Sequence, residues 1–341
     1  GNAGIVDTPL GWEQPHDINA FTHTEVKLIR IKTDRLKELI EGSKPPELDV
    51  DEVDEGSAGV GAQIYFNLFN DLMNDKLKLP SMPDIAIRVR EAVSDVRAGA
   101  PEVAKIVQSD PVVAARIIQA ANSAMYAGQR QVDSVSAAVV RLGLTTTREL
   151  VMAVTLRDVF KSKVPLLNKR MVETWMHSTM VAAIASVLSR KIRGFLPDRA
   201  LLAGLIHDIG VVPMLAHADK YPELLDDPNL LQNIIDEHKG QIGSMIMRKW
   251  NFPDDLADVP GNCDDWMREH EEKGDYTDLI IVSQLQSMQS AGVKGDFPSL
   301  GEAPAFHRLD FKNPADELAP SEILDEARED IASVQKMLIG G

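Results

Sequence analysis

The stretch LLAGLIHDIG, residues 201–210, joins an apolar helical pattern to an adjacent histidine and aspartate, His207 and Asp208. Such a pair can supply a neutral imidazole and a carboxylate to a divalent cation. Gly204 lies one turn before the pair and Gly210 follows it, and residues this small allow another helix to approach closely. The stretch therefore predicts a tightly packed helix that ends at a candidate metal site.

A third candidate residue, His177, lies upstream on the apolar side of a predicted helix over Met171–Arg190. Met180 and Ile184 follow it at the i+3 and i+7 positions, so its imidazole should face neighbouring helices. Two interpretations stay open at this point. The imidazole is either a structural histidine that bonds a backbone carbonyl or Asp208, or one ligand of a metal site.

Helix start and stop signals continue on both sides of these residues. Pro83 begins one predicted helix, Asp110-Pro111 combines a capping carboxylate with proline at the first helical position, and Ser134 caps a helix that stops near Gly143. The other predicted helices are one that resumes over Ile64–Met73, one that Pro101 opens, one from Thr145 or Thr146 to Phe160, Met171–Arg190, Arg199–Ile209 capped by Asp198, one around Pro222–Leu225, Leu230–Glu237, Ile242–Trp250, Thr277–Gln289 and Ser321–Leu338. The sequence therefore predicts an all-α fold, a helical bundle of two subdomains.

Three regions are predicted along the chain. Residues 1–63 form an N-terminal arm and an acidic linker, residues 64–166 a first helical subdomain, and residues 167–341 a second one. Within the arm, the strand-like Val26–Ile31 precedes a short helix, and residues 20–40 resemble the end of a cyclic-nucleotide-binding domain. The phosphate-binding cassette of those domains is missing from the chain, so no nucleotide binding is predicted. An extended arm that packs on the next domain is the alternative.

Composition and charge restrict the partners. The formal net charge of −16 disfavours a nucleic-acid partner, because an acidic surface repels phosphate backbones. Cys263 is the only cysteine, which excludes an internal disulfide and a zinc cluster of cysteines. No uninterrupted apolar run reaches the length of a membrane span, and the first four residues lack a signal-peptide pattern. We therefore expect a cytoplasmic protein without a membrane or nucleic-acid partner.

Several motifs resemble, in order, the bacterial HD-related output domain, HDOD. They are LPSMPDIAIRV (79–89), VAKIVQSDPVVAARIIQAANSAMYA (103–127), VDSVSAAVVRLGLTTTREL (132–150), IGSMIMRKWNFP (242–253) and PAFHRLDF (304–311). WMHS at residues 175–178, followed by LLAGLIHDIG, also has the spacing of the HD metal phosphohydrolases, of which HDOD is a degenerate branch. The resemblance extends over residues 77–338 and implies a signalling module whose second subdomain is HD-like.

The resemblance also implies which residues would bind metal. His177, His207 and Asp208 match ligands of active HD hydrolases. The other ligand positions are substituted: Lys239 stands where a histidine is expected, Gly261-Asn262 where a His-His pair is expected, and Gln284 where an aspartate is expected. A lysine at the rim of the site would repel a divalent cation. We therefore predict an incomplete residual metal site, with no cofactor unless a divalent metal occupies it.

A shifted alignment would supply the missing ligand. Glu237, His238 and Asp278 are the candidates for that fourth position. His16, His23, His217, His270 and His307 show no ligand spacing and are expected to be structural or exposed.

Other residues belong to the family pattern without carrying chemistry. Asn122, Ser123 and Tyr126 are expected to form a hydrogen-bonding element between helices, beside the Asp110-Pro111 helix start. Trp250 is expected to anchor the core or the interface between the subdomains.

The incomplete ligand set, together with the family resemblance, predicts a non-catalytic signal-transduction module that acts through protein–protein contacts. Its partners would be signalling proteins, and a homo-oligomer stays open. Two alternatives remain: a metal-dependent phosphohydrolase acting on a nucleotide or cyclic dinucleotide, and a small-molecule-binding sensor.

Overall fold

The computed structural model describes residues 80–311 and 327–339, together with Asn67, Asn70 and Asp71, except at positions 96, 124, 127, 129, 219, 222–223, 225–226, 272, 294 and 296. All described residues belong to one compact unit, Gly59–Gly341. The predictions for the N-terminal arm, including its strand, and for the acidic linker lie outside these residues.

Short helices build the first half of the described chain. They are α1 (Asp84–Ser94), α2 (Ala100–Gln108), α3 (Pro111–Ala121), α4 (Val135–Leu142) and α5 (Leu144–Thr155), with a 3-10 helix at Leu156–Val159. The Asp110 carboxylate accepts hydrogen bonds from the Val112 and Val113 amides, and the Ser134 hydroxyl accepts one from the Ala137 amide. Both caps were predicted from the sequence, because these side chains satisfy amides that the first helical turn leaves free.

Longer helices build the second half. They are α6 (Pro165–Ser189), α7 (Pro197–Ile206), α8 (Val211–Ala218), α9 (Pro228–Lys249), α10 (Asp254–Ala257), α11 (Val259–Asn262), α12 (Tyr276–Ser290), α13 (Pro304–Arg308) and α14 (Arg328–Ile339). The described residues contain no sheet, and their one isolated β-bridge joins Ile192 to Phe311. The all-α fold predicted from the sequence is confirmed. The boundary predicted between two subdomains stays a prediction.

Several predicted helix boundaries were wrong; helix α6, for example, begins at Pro165 where the sequence predicted Met171. Helix α9 is one continuous helix where the sequence predicted two. Its internal glycines do not break it; they are close-contact residues, since a Cβ on Gly243 would lie 2.6 Å from the Pro260 side chain. Helix α7 begins at Pro197, with Leu196 at the N-cap and Asp198 inside the first turn.

The core centres on α6 and α7, which pack along their length. A Cβ on Gly204 would lie 2.3 Å from the Ala182 Cα, so these two helices approach as closely as the sequence predicted. Residues Pro197–Ala218 are long and apolar enough to cross a membrane, with a mean hydropathy of 1.5, but 94% of their most apolar segment is buried inside the fold. This stretch, which was not predicted from the sequence, is therefore a core element.

Candidate functional site

The residual site is built around the turn between α7 and α8. Helix α7 ends at Ile206, so His207 and Asp208 lie in the turn that follows it. Gly210 closes the turn, and a Cβ there would lie 1.9 Å from the Lys239 carbonyl oxygen of α9. Only glycine allows α9 to approach the turn this closely, which brings the Lys239 side chain to Asp208.

The three candidate metal ligands lie together. The rings of His177, from α6, and His207 are edge to face, with centroids 5.2 Å apart. One potential ligand atom from each of His177, His207 and Asp208 lies within 4.8 Å of the other two. His207 and Asp208 are buried, whereas His177 is half-buried. We call these three residues the trio.

The Lys239 ammonium is bound inside this site. Its Nζ lies 2.7 Å from Asp208 Oδ1 and 2.9 Å from Asp264 Oδ2. Only 15% of the lysine side chain and 9% of the Asp208 side chain are exposed. The sequence placed this lysine at the rim as a repelling charge; the structure instead makes it the direct cationic partner of the trio's carboxylate.

The charges of this ion pair stabilise each other. Burial would raise the pKa of Asp208, but the neighbouring His207 and the Lys239 ammonium outweigh burial and hold that pKa below its usual range. Burial would lower the pKa of Lys239, but the carboxylates of Asp208 and Asp264 outweigh it and raise that pKa. Both groups are therefore ionised at neutral pH. The His177 imidazole is neutral there, because burial and the nearby His207 lower its pKa to about 4.

The two imidazoles are not held by the Asp208 carboxylate. His207 Nδ1 lies 2.7 Å from the Gly204 carbonyl oxygen, and since a carbonyl only accepts, Nδ1 donates this bond. His207 Nε2 is buried without a hydrogen-bond partner among the described residues and lies 3.4 Å from Asp208 Oδ2. Asp208 instead accepts a hydrogen bond from Lys239 Nζ.

Whether these residues fit a divalent cation depends on Asp208. The orientation of His207 does suit a ligand, since an imidazole that donates through one nitrogen presents the other to a metal. However, Asp208 is the only carboxylate of the trio, and Lys239 already neutralises it. A metal would have to displace a buried ammonium and then share the site with its positive charge. The residues present therefore do not fit a resident divalent cation.

The remaining substituted positions perform structural tasks. The Gln284 amide donates to the Cys263 carbonyl over 2.9 Å, and the Asn262 amide donates to the Asp258 carbonyl over 2.8 Å. Gly261 packs against Ser244, whose hydroxyl would lie 2.8 Å from a Cβ at that position. None of these residues supplies a ligand atom to the trio.

No proposed fourth ligand completes the trio. The Glu237 side chain is 73% exposed and lies 3.6 Å from His238, and neither residue belongs to the trio's group of donor atoms. Asp278 belongs to a separate cluster. Among the described residues, the idea that a shifted alignment supplies another ligand is therefore wrong.

That separate cluster, which the sequence analysis missed, surrounds Asp278 at the start of α12. The Asp278 carboxylate is fully buried and contacts Arg268 Nη1 at 3.1 Å and His270 Nε2 at 2.9 Å. Arg268 also binds both oxygens of Asp275, and Asp275 and Asp278 form a capping box. An acidic residue three positions after an acidic N-cap is the signal that could have indicated it. Arg268 contacts both carboxylates, and Arg308 Nη1 lies 3.7 Å from Asp278, so two arginines balance the two negative charges and this cluster is structural.

The family-pattern residues near α3 hold backbone in place. Asn122 exchanges two hydrogen bonds with the Val132 backbone, at 2.7 Å and 2.9 Å, and Ser123 Oγ donates to the Ala120 carbonyl. Tyr126 is half-buried, and burial raises the pKa of its hydroxyl. That hydroxyl has no hydrogen-bond partner within the described part of the chain.

Trp250, the residue that follows α9, connects distant parts of the chain. Its Nε1 donates to the Pro80 carbonyl over 3.0 Å, and its own carbonyl accepts a bond from Arg90 of α1. The side chain is buried. Trp250 therefore ties the end of α9 to the start of the first helical region.

An all-helical core around an HD-type turn, with substituted metal ligands, defines a degenerate relative of the HD proteins. The chain belongs to the HDOD domain family, whose family model matches residues 79–262, more than half of the chain. The resemblance inferred from the sequence motifs is thereby confirmed.

Solved structures share the fold. A candidate metal-dependent phosphohydrolase of Shewanella amazonensis SB2B is 28% identical with a TM-score of 0.69, and the match covers 80% of this chain and 99% of that one. An HDOD domain protein of unknown function from Geobacter sulfurreducens is 21% identical with a TM-score of 0.60, covering 81% and 99% of the two chains. An uncharacterized protein of Treponema pallidum is 23% identical over 198 residues, which cover 53% of this chain and 36% of that protein. The chain thus matches only part of that relative's length.

Proposed function

We propose that the chain is a non-catalytic signal-transduction module that acts through protein–protein contacts. The observation that carries this proposal is the ion pair between the Lys239 ammonium and Asp208. A hydrolase of the HD type needs a divalent cation to polarise a phosphoryl group and to activate water. A lysine neutralises the carboxylate but supplies neither a Lewis acid nor a bound hydroxide.

The proposed surroundings of the module follow from its charge. A net charge of −16 disfavours a nucleic-acid or an anionic membrane partner. We therefore propose a cytoplasmic module that contacts other signalling proteins. No resident cofactor is part of this proposal.

A metal-dependent phosphohydrolase acting on a nucleotide or cyclic dinucleotide is the second candidate. The orientation of His207 favours it, since Nδ1 donates to Gly204 and Nε2 faces the other ligand atoms. The Shewanella amazonensis protein of similar fold, which is described as a candidate metal-dependent phosphohydrolase, favours it too. This candidate requires that a metal displace Lys239 from Asp208.

Metal analysis and an activity panel distinguish the two candidates. The wild-type chain, incubated with Mn²⁺ and then desalted, should retain no stoichiometric metal. It should hydrolyse nucleoside phosphates and cyclic dinucleotides no faster than the His207→Ala variant. The matched control is Lys239→His, which removes the competing ammonium and should retain metal under the same conditions. Turnover by the wild type that is lost in His207→Ala would overturn the non-catalytic proposal.

A further inference from the structure

A cavity of about 270 Å³ opens beside the trio, between α6, α8 and α9. His177, Lys239 and Arg170 line it, and Arg170 lies two turns of α6 before His177. Small-molecule sites occupy roughly 300–1,000 Å³. At about 270 Å³ this cavity lies just below the lower end of that range, which suits a small metabolite.

Arg170 has no anionic partner among the described residues. It is half-buried, and its Nη1 is buried there without a hydrogen-bond partner. Other half-buried arginines are bound by protein groups: Arg199 pairs with Asp255 at 2.6 Å, and Arg141 Nη1 donates to the Ala121 carbonyl over 3.0 Å. A shielded cation without a partner is costly unless a ligand neutralises it.

We propose that this cavity binds a small organic carboxylate, held by the Arg170 guanidinium. The planar fork of arginine matches the two oxygens of a carboxylate. Glu173, Asp208 and Asp236 also line the cavity, and these acidic groups repel the higher charge of a phosphate dianion. A ligand with a single carboxylate, or a zwitterion whose cationic group faces Glu173 or Asp236, complements the wall.

Such a ligand would connect the site to signalling. It would contact α6 through Arg170 and His177, and α9 through Lys239, so its binding would fix these helices relative to each other. This inference rests on the proposed function in one respect: no metal and no phosphoryl substrate occupies the cavity. A ligand with these contacts would be the input that a non-catalytic module passes to its partners.

Calorimetric titration with acetate, glycine and inorganic phosphate tests the inference, with EDTA present so that the result does not depend on metal. Acetate or glycine should bind the wild type, and phosphate should bind more weakly. Arg170→Gln should lower the carboxylate affinity at least about tenfold, because it removes a charge-assisted hydrogen bond. Lys105→Gln is the matched control: it removes the same charge from an exposed residue of α2 that does not line the cavity, and it should bind like the wild type.

A second variant distinguishes a loss of carboxylate binding from a loss of folding. Arg170→Lys keeps the charge but loses the planar fork, so it should bind with intermediate affinity while melting like the wild type. Equal carboxylate binding by wild type and Arg170→Gln, absence of carboxylate binding by the wild type, or tighter binding of phosphate would each overturn the inference. None of these results would restore metal-dependent turnover, so failure here is distinguishable from failure of the non-catalytic proposal.

Discussion

Replacing Lys239 with methionine should destabilise the fold more than any conservative change elsewhere in the trio's surroundings. Methionine keeps much of the apolar side chain but removes the ammonium, so Asp208, with 9% of its side chain exposed, loses its partner at 2.7 Å. Two unit charges at that distance attract by about 6 kcal/mol at an effective dielectric constant of about 20. Desolvation offsets part of this attraction, and removing one partner of a buried pair costs about 3–5 kcal/mol. We expect that loss in the free energy of unfolding.

Urea unfolding at pH 7 in the presence of EDTA measures this loss. The double variant Asp208→Asn with Lys239→Met should recover most of the stability, because it leaves no unpaired buried charge; Asp264, the other partner of Lys239, is 38% exposed and stays solvated. Lys161→Met is the matched control, since Lys161 and Asp158 form an exposed pair and its loss should cost at most about 1 kcal/mol. The ion pair does not stabilise the fold if Lys239→Met lowers the free energy of unfolding no more than Lys161→Met does. The same conclusion follows if the double variant is no more stable than Lys239→Met.

Three further changes test neighbouring parts of the structure. Gly210→Ala should lower the free energy of unfolding by about 1–3 kcal/mol in the same urea assay, because its Cβ would overlap the Lys239 carbonyl oxygen at 1.9 Å. An unchanged urea midpoint would contradict the close approach of α9 to the turn after α7. For His177, the folded pKa of about 4 lies below the ordinary 6.5, so the unfolded chain binds the proton first as pH falls. The free energy of unfolding of the wild type should therefore decline between pH 6.5 and 4, by up to about 3 kcal/mol. The decline should be smaller in His177→Gln; equal declines in the two proteins would contradict the low pKa of His177. Arg268→Met should lower stability by up to about 3–5 kcal/mol, because it removes the nearer of the two arginines at the fully buried Asp278 and leaves Arg308 Nη1 at 3.7 Å; a melting temperature equal to that of the wild type would show that Arg308 and His270 suffice.

Features set by short stretches of sequence could be predicted. The Asp110 and Ser134 caps depend on side chains two or three residues from the amides they bind, so their residue types indicate them directly. The inward position of His177 follows from helical periodicity, which also favours its approach to the next helix. The small residues of LLAGLIHDIG predicted close packing, and Gly204 provides it against α6.

Features that depend on distant residues could not be predicted in the same way. The role of Lys239 depends on Asp208, 31 residues away, and on the helix approach that Gly210 permits. The residue type of Lys239 alone indicated a charge that repels a divalent cation, whereas its position makes it the ion-pair partner of Asp208. The break predicted between Glu237 and Ile242 is absent for a similar reason: α9 is continuous there, and Gly243 inside it packs against Pro260 of α11, a contact between residues far apart in the chain.

Melting curves of the wild type and Asp208→Ala, each with and without a chelator, test most directly whether Lys239 takes the place of a metal. A metal-free site predicts that the chelator changes neither melting temperature, and that Asp208→Ala melts lower because Lys239 loses its nearest carboxylate. If the chelator lowers the melting temperature of the wild type and leaves that of Asp208→Ala unchanged, the trio binds a stabilising metal, and the non-catalytic function proposed from the Lys239 ion pair is contradicted.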